Sequence, residues 1–574
     1  MKKKKARFTS DFETVTWLEN ETYVWCWAVC NIDTMATEWG TDIESFFQWC
    51  ECQDNPTLYF HNLKFDGEFI IHYLLTHEYE YYSDKYINGK MFTTLISDMG
   101  QFFSIKVNFS KNKSVTFLDS LKVIPSRVED IPKTFGLDIK KLDLDYNKPR
   151  ERGYIPSNDE LQYILNDVKI PAMALKIMFE QGLNKITQAS NAMADFKNTI
   201  GFKTFKHFFP ELPLAIDEDI RTSYRGGFTY LNPIYKDKEV GAGVVLDVNS
   251  LYPSVMLNER LPISYPIFFK GKYKENSIYD LYIQRLSCTF ELKEGKIPTI
   301  QIKGRKDFNP CEYLTSSNGH IVILTLTNID LQLFFENYEV KQLEYLSGWQ
   351  FRSAKGIFSK YIDKWSKIKI ESGKNGNKGM RTIAKLMQNA LYGKFGLNPK
   401  CRKKTPFLHD DIVKYHTEPE EIRDPIFIPM ASFITAYARD KTIRTSQTIR
   451  DYSVAHYGQD MYIYSDTDSI HTLLSESELQ SICDIDDYRY GAWKIENTFT
   501  RGKFLRQKSY IEQDGDKIKI TCAGLPDKCY KQVSFSNFKI GSMYKGKLSY
   551  SHVKGGVKLV ETTFKIREKI FDKF

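Results

Sequence analysis

The sequence predicts a multidomain chain of α/β and α+β class. Its 574 residues exceed what one hydrophobic core usually serves. Residues 1–188 alternate short β-prone runs with helical patterns, the signature of an α/β unit. Beyond Asp247 the pattern is mixed: a β-rich insert, a helical hairpin and Gly-punctuated strands follow one another.

In the α/β unit, Tyr23 to Val29 and Val115 to Leu118 read as strands, and Glu160 to Gly182 as a helix. Asp11 and Glu13 are two apart near the start of the chain. A second element, His61 to Gly67, follows the apolar Leu58-Tyr59-Phe60 and carries Asp66. In the third, Tyr163 and Asp167 are four apart in a helical pattern and share a face. Carboxylates from three separated segments can hold two divalent ions for in-line phosphodiester hydrolysis, with the Tyr163 hydroxyl orienting the attacking water. Tyr59, His61, Asn62, Phe65, Ser120 and Leu121 surround them and suit a frayed single strand by stacking and phosphate hydrogen bonding.

The second half opens with Val244-Val245-Leu246, an apolar run closed by Asp247. Much later, Met461-Tyr462-Ile463 leads into Tyr464-Ser465-Asp466-Thr467-Asp468-Ser469, a strand or strand-turn-strand in which Asp466 and Asp468 project to one side. Such carboxylates repel unless a cation lies between them, and a divalent metal is the economical solution. Asp247 and Asp468 are the expected ligands with the Val248 carbonyl, and Asp466 an outer one. Residues 259–356 form a β-rich insert, and 357–371 with 380–395 form a helical hairpin around Gly373 to Gly379. On its second helix Arg381, Lys385, Asn389 and Tyr392 fall on one face; with Lys369 they suit a clamp on a triphosphate and a platform for the nascent base pair. Tyr252 follows Asp247 closely enough to lie under the incoming sugar, where a 2′-hydroxyl would clash. Phe433 to Arg450 reads as another helix, Asp451 to Asp460 as an extended loop, and the last ~47 residues as short strands with Gly turns.

A net charge of +8 suits a polyanionic partner, and 35 Tyr with 39 Phe supply flat faces for stacking on bases. The basic runs are Lys2 to Lys5, Lys400 to Lys404 and Lys565 to Lys573. Ten cysteines show no zinc-finger spacing and read as reduced thiols. No apolar run approaches ~20 residues and no signal-peptide core follows Lys5, so a soluble intracellular protein is expected.

Asp247-x-x-Ser250-Leu251-Tyr252-Pro253 and Tyr464-x-Asp466-Thr467-Asp468-Ser469 together resemble the first and third palm motifs of family B DNA polymerases. Lys385-x-x-x-Asn389-Ala390-x-Tyr392-Gly393 resembles the fingers motif of that family, with Ala390 where serine is usual. The three N-terminal carboxylate segments resemble DnaQ-like 3′–5′ proofreading exonucleases, of RNase H-like fold. That likeness adds Lys141 as a support for the scissile phosphate and Asp143 as a metal ligand. Three further segments resemble duplex contacts of the polymerases: Tyr224-Arg225-Gly226-Gly227, Thr435 with Arg439, and Lys508 with Tyr510.

Over essentially its whole length the chain is closest to the protein-primed family B polymerases of small bacteriophages, the phi-twenty-nine type. The resemblance implies an exonuclease domain (1–188) with no room before Asp11 for the extra N-terminal domain of larger relatives. A right-hand polymerase follows: palm (189–258 and 422–527), fingers (357–396) and thumb (528–574). Residues 259–356 and 397–421 match the two terminal-protein-region insertions, the second tied to strand displacement. It further implies Mg²⁺, or Mn²⁺ in its place, at two ions per active site. The polymerase resemblance implies a monomer whose partners are primer-template and single-stranded DNA, dNTPs and a terminal-protein primer, in the cytoplasm of an infected bacterium. Two alternatives stay open: a nucleic-acid-primed repair polymerase, and a non-catalytic DNA-binding relic, against which both complete carboxylate sets argue.

Overall fold

The computed structural model describes residues 5–82, 89–301 and 313–568; positions 2–4 and 569–573 of the basic runs lie outside them. The N-terminal unit is built on an eight-stranded sheet. Val24–Asn31, an almost continuous apolar run, is buried along nearly its whole length, as a strand covered on both faces must be. Arg7–Thr14 pairs antiparallel with it and parallel with Thr57–Phe60, so Asp11 and Glu13 stand on a central strand. The helix Asn158–Glu180 starts at a capping box made by Ser157 and Glu160. Inside it Pro171 lacks the N–H that would serve the Asp167 carbonyl, and the Thr9 hydroxyl donates to the next one, Val168, at 2.6 Å. Helix and central strand are thereby fixed against each other where their carboxylates meet.

A five-stranded sheet lies at the centre of the second half, in the order Trp493–Phe499, Gly243–Val248, Ser469–Thr472, Tyr462–Asp466, Thr229–Leu231. Its back is covered by the helix Ile428–Tyr457, whose first turns are almost wholly buried. The insert after Asp247 is β-rich, as its composition predicts: Leu261–Lys270, Tyr338–Ala354, Leu281–Leu292 and Val322–Thr327 make one sheet, with the helix Asn328–Asn337 beside it. The helical hairpin consists of Ser359–Lys374 and Lys378–Phe395; Tyr361, Ile362 and Trp365 of one helix and Ile383, Met387 and Leu391 of the other are buried. Lys404–His409 and Ile412–Thr417 form a small hairpin that packs on the N-terminal helix Leu63–Thr76.

Two sequence expectations are corrected here. The stretch Asp451 to Asp460 is not an extended loop: the long helix continues to Tyr457 and stops at Gly458, whose φ of +64° forms its C-cap. Nothing before that glycine breaks the helix. Near the C-terminus the Gly-punctuated run is one long hairpin, Met543–Val553 with Gly556–Lys565, and Gly546 sits at a bulge inside it. At its tip Gly555 has φ +90°, and a Cβ there would lie 1.9 Å from the Thr22 carbonyl oxygen, so only glycine lets the hairpin reach the N-terminal unit. The described cysteines are free thiols, and no helix among the described residues is long and apolar enough to cross a membrane.

Candidate active sites

Asp11, Glu13 and Asp167 converge, with one carboxylate oxygen from each within 4.8 Å of the others. Asp66, in the first turn of Leu63–Thr76, accepts a hydrogen bond from the Phe12 N–H at 3.2 Å and is close enough for its charge to act on Asp11 and Glu13. Burial and mutual repulsion push Asp11 up to about 7 and hold Glu13 and Asp66 well above the usual carboxylate range. Burial raises Asp167 as well, and its Oδ1 is buried without a hydrogen-bond partner. Crowded acids with an orphaned oxygen fit a divalent cation, which would supply the missing charge and ligand site. Lys141 pairs with Asp167 and stands over the Tyr163 ring, and the Tyr163 hydroxyl meets that of Tyr146 at 2.7 Å. Asp143 is exposed and stands outside the converging trio.

Of the residues expected around a frayed strand, Phe65 and Asn62 are partly exposed and face Tyr550 of the C-terminal hairpin: Asn62 donates to its hydroxyl at 3.2 Å. Leu121 is also partly exposed. Three others serve the fold. Tyr59 is a core ring against Phe179. Ser120 is fully buried and donates to the Phe60 carbonyl. His61 Nδ1 lies 3.0 Å from Ser120 Oγ, and its Nε2 donates to the Ser126 carbonyl at 2.6 Å. In this structure the His61 ring nitrogens and the Ser120 hydroxyl are engaged within the protein and the Tyr59 ring packs in the core, while His61 keeps partial exposure.

In the central sheet Asp247 is paired across from Ser469, and the Val248 N–H donates to the Asp468 carbonyl at 2.8 Å. Asp466 ends one strand and Thr467-Asp468 form the turn to the next, so the setting is strand-turn-strand and the two acids diverge. Asp468 turns toward Asp247; burial and that neighbouring charge raise it to about 6. Asp247 is also raised by burial, against the pull of Lys494 at 3.1 Å. Asp466 instead accepts from Lys508 Nζ at 2.8 and 3.0 Å, Tyr464 Oη at 3.2 Å and Thr229 Oγ1 at 3.2 Å.

On the hairpin's second helix Arg381, Lys385 and Asn389 are exposed in a row, and Lys385 is near enough for its charge to favour ionised Asp247. Tyr392 ends the row, its ring stacked on Tyr252 with centroids 3.9 Å apart at 23°. Lys369 lies over the Tyr490 ring at 5.4 Å.

The expected duplex contacts divide differently. Arg439 is buried, and all five of its N–H groups are satisfied within the protein: by Asp330 through Nε and Nη2, and by the Arg225 and Gly226 carbonyls through Nη1. It cannot hold a phosphate without breaking that set. Thr435 is buried and donates to the Ala431 carbonyl one turn back, and Tyr510 packs among Tyr464, His471 and Phe504. Arg225 Nη1 donates to the Ser223 and Thr325 carbonyls at 3.2 and 2.9 Å. Gly227 has a structural reason of its own: a Cβ would stand 2.6 Å from Thr467 Oγ1, so the loop backs directly onto the Asp466–Asp468 turn. Arg439, Thr435 and Tyr510 are thus engaged within the protein in this structure, and so is Arg225 through Nη1, while its Nε is buried without a hydrogen-bond partner. Tyr224, Gly226 and Lys508 keep some exposure.

Sequence reasoning missed Lys494 and Glu496, which lie on the strand beside Asp247; Glu496 raises both Asp247 and Asp468 by its charge. The alternation Lys494-Ile495-Glu496 after Gly491 was the available signal. Tyr146 and Asp330 carried no signal of their own.

Two carboxylate sites, one on an N-terminal α/β sheet and one at a strand-turn-strand under a cationic helix, define a nucleic-acid polymerase joined to a nuclease fold. The family described as DNA polymerase type B, organellar and viral, matches residues 51–156 and 147–484. The DNA polymerase of Bacillus phage phi29 is 42% identical over 98% of this chain and 99% of its own. That of Streptococcus phage Cp-1 is 32% identical over 98% of each. The solved phi29 DNA polymerase complexed with primer-template DNA and incoming nucleotide substrates superposes with a TM-score of 0.90 at 40% identity, covering 98% of this chain and 100% of that one. The chain belongs to the type B DNA polymerases, and its fold is that of the phi29 enzyme: an exonuclease unit with palm, fingers and thumb.

Proposed function

We propose that this protein is a replicative DNA-directed DNA polymerase with a 3′–5′ proofreading exonuclease, active in an infected bacterial host and initiating on a terminal protein. The observation that carries the reading is the meeting of Asp247, on its strand, with Asp468, in the turn that leads into the neighbouring strand, close to Lys385 of the Arg381–Lys385–Asn389 face, with Asp11, Glu13 and Asp167 gathered separately. Asp247, the Val248 carbonyl and Asp468 would hold divalent metal at one site, and Asp11, Glu13, Asp66 and Asp167 at the other. Mg²⁺ at two ions per site is our assignment, with Mn²⁺ able to replace it. Bound metal supplies charge neutralisation and activates the attacking oxygen. At the polymerising site Lys385, Arg381 and Lys369 bind the triphosphate as fixed cations. The stacked Tyr252–Tyr392 pair receives sugar and base, and Lys508 fixes Asp466 beside the reacting ends. In the exonuclease Tyr163 orients water through its hydroxyl, Lys141 steadies the scissile phosphate, and Phe65, Asn62 and Leu121 receive the strand end. We assign 259–356 and 397–421 to terminal-protein binding and strand displacement.

Primer extension with Mg²⁺, together with degradation of labelled single strands, tests the two activities; absence of both from folded protein overturns the reading. Protein priming is tested with the product of a gene beside this one, Mg²⁺ and one labelled dNTP. A labelled, nuclease-resistant, protease-sensitive adduct is expected. Normal primer extension without such an adduct from any neighbouring gene product would favour nucleic-acid priming.

A further inference from the structure

The register of the central sheet sets Lys494 directly opposite Asp247, so both side chains leave on the same face. The ammonium lies 3.1 Å from Asp247 Oδ2, and the two side chains are 34% and 22% exposed. Two other acids of the sites also carry a lysine: Lys141 on Asp167 and Lys508 on Asp466. Lys494 differs from Lys508 in meeting an acid that points at Asp468, where the metal would be held. Lysine is a compact charge on a flexible stem, so it can occupy a carboxylate oxygen and swing away when a stronger cation arrives. With Asp247, Asp468 and Glu496 acting on one another, the site needs positive charge before any metal is present.

Resting on the reading of Asp247 and Asp468 as metal ligands, we propose that Lys494 is a positioning residue, the resident counter-ion of Asp247, which competes with divalent metal for that carboxylate. The free enzyme then holds metal weakly, and retention depends on the negative charge that a nucleoside triphosphate brings. A cation this close opposes a second one, and solvent exposure moderates the effect to about three- to tenfold in affinity.

The test measures Mn²⁺ binding by electron paramagnetic resonance, without DNA or nucleotide, in full-length protein carrying Asp11→Ala and Asp66→Ala to quieten the exonuclease site. In that background Lys494→Met and Lys494→Gln should each bind Mn²⁺ about three- to tenfold more tightly, while Lys494→Arg should match the parent. Thermal unfolding checks that each variant is folded, and two neutral replacements guard against the loss of one. Unchanged or weaker binding in the neutral variants overturns the inference. Asp468→Asn in the same background separates the layers. If it leaves Mn²⁺ binding untouched, the metal-site reading itself fails. If it weakens binding while the Lys494 variants do not move, the counter-ion role alone fails.

Discussion

Arg439 on the long helix grips Asp330 of the first insertion with a bidentate ion pair, Nη2 to the two oxygens at 2.9 and 2.7 Å, while its Nη1 holds the Arg225 and Gly226 carbonyls. One guanidinium therefore joins the insert, the helix and the loop that backs the Asp466–Asp468 turn. Removing one member of such a buried pair leaves the other charge uncompensated. Arg439→Ala should lose about 3–5 kcal/mol of stability in denaturant unfolding, and Asp330→Ala a similar amount. Arg439→Lys should recover only part, since an ammonium cannot reproduce the planar fork. Arg439→Met with Asp330→Leu should be milder than either alanine variant. A double variant worse than the singles would remove the ion pair from this role.

The two sites should be chemically separable, because they are built around different sheets and share no carboxylate. Asp468→Asn should lower nucleotide incorporation by a factor on the order of 10² or more while leaving degradation of single strands intact. Asp11→Ala with Asp66→Ala should do the reverse. Primer extension and nuclease assays on the same preparations decide the matter. Loss of both activities from either variant in folded protein would contradict it.

The carboxylates were legible because strand and helix periodicity set their facing: Asp11 and Glu13 share a strand, and Tyr163 and Asp167 share a helical face. The fingers row Arg381, Lys385, Asn389 and Tyr392 was legible for the same reason. Contacts between distant segments were not. Arg439 reads as a DNA cation until Asp330, far away in the chain, is seen to absorb it. Tyr59 and Tyr510 read as stacking rings because local sequence does not show which side of a strand the core occupies. The polar composition of Asp451 to Tyr457 hides an unbroken helical stretch, ended only by Gly458.

Sugar selection should depend on space at Tyr252. Its ring is already stacked on Tyr392 with centroids 3.9 Å apart, so it has little freedom to retreat from a 2′-hydroxyl. Tyr252→Val should raise ribonucleotide incorporation relative to deoxynucleotide by about tenfold or more, since a ring is removed and no substrate hydroxyl is left unpaired. Competition between a dNTP and the matching rNTP measures the ratio. An unchanged ratio would take the steric role away from Tyr252.

The C-terminal hairpin should loosen from the N-terminal unit as pH rises. His552 Nε2 meets the buried Glu68 Oε1 at 3.1 Å, and Glu68 also accepts from the Tyr415 hydroxyl at 2.7 Å, so one carboxylate joins three segments. Hydrogen bonding to Glu68 holds the imidazole above its ordinary value of 6.5. A raised folded value means that the charged contact contributes fully below the ordinary 6.5 and is lost as pH climbs from there through the higher value of the folded state. Amide-exchange protection across residues 543–565, corrected for intrinsic rates, should therefore be higher at pH 6 than at pH 8.5. His552→Asn should remove the difference while leaving Tyr415 on Glu68. If the wild-type hairpin shows equal protection at both pH values, the His552–Glu68 pair does not fasten it. If the pH dependence survives in His552→Asn, another group is responsible.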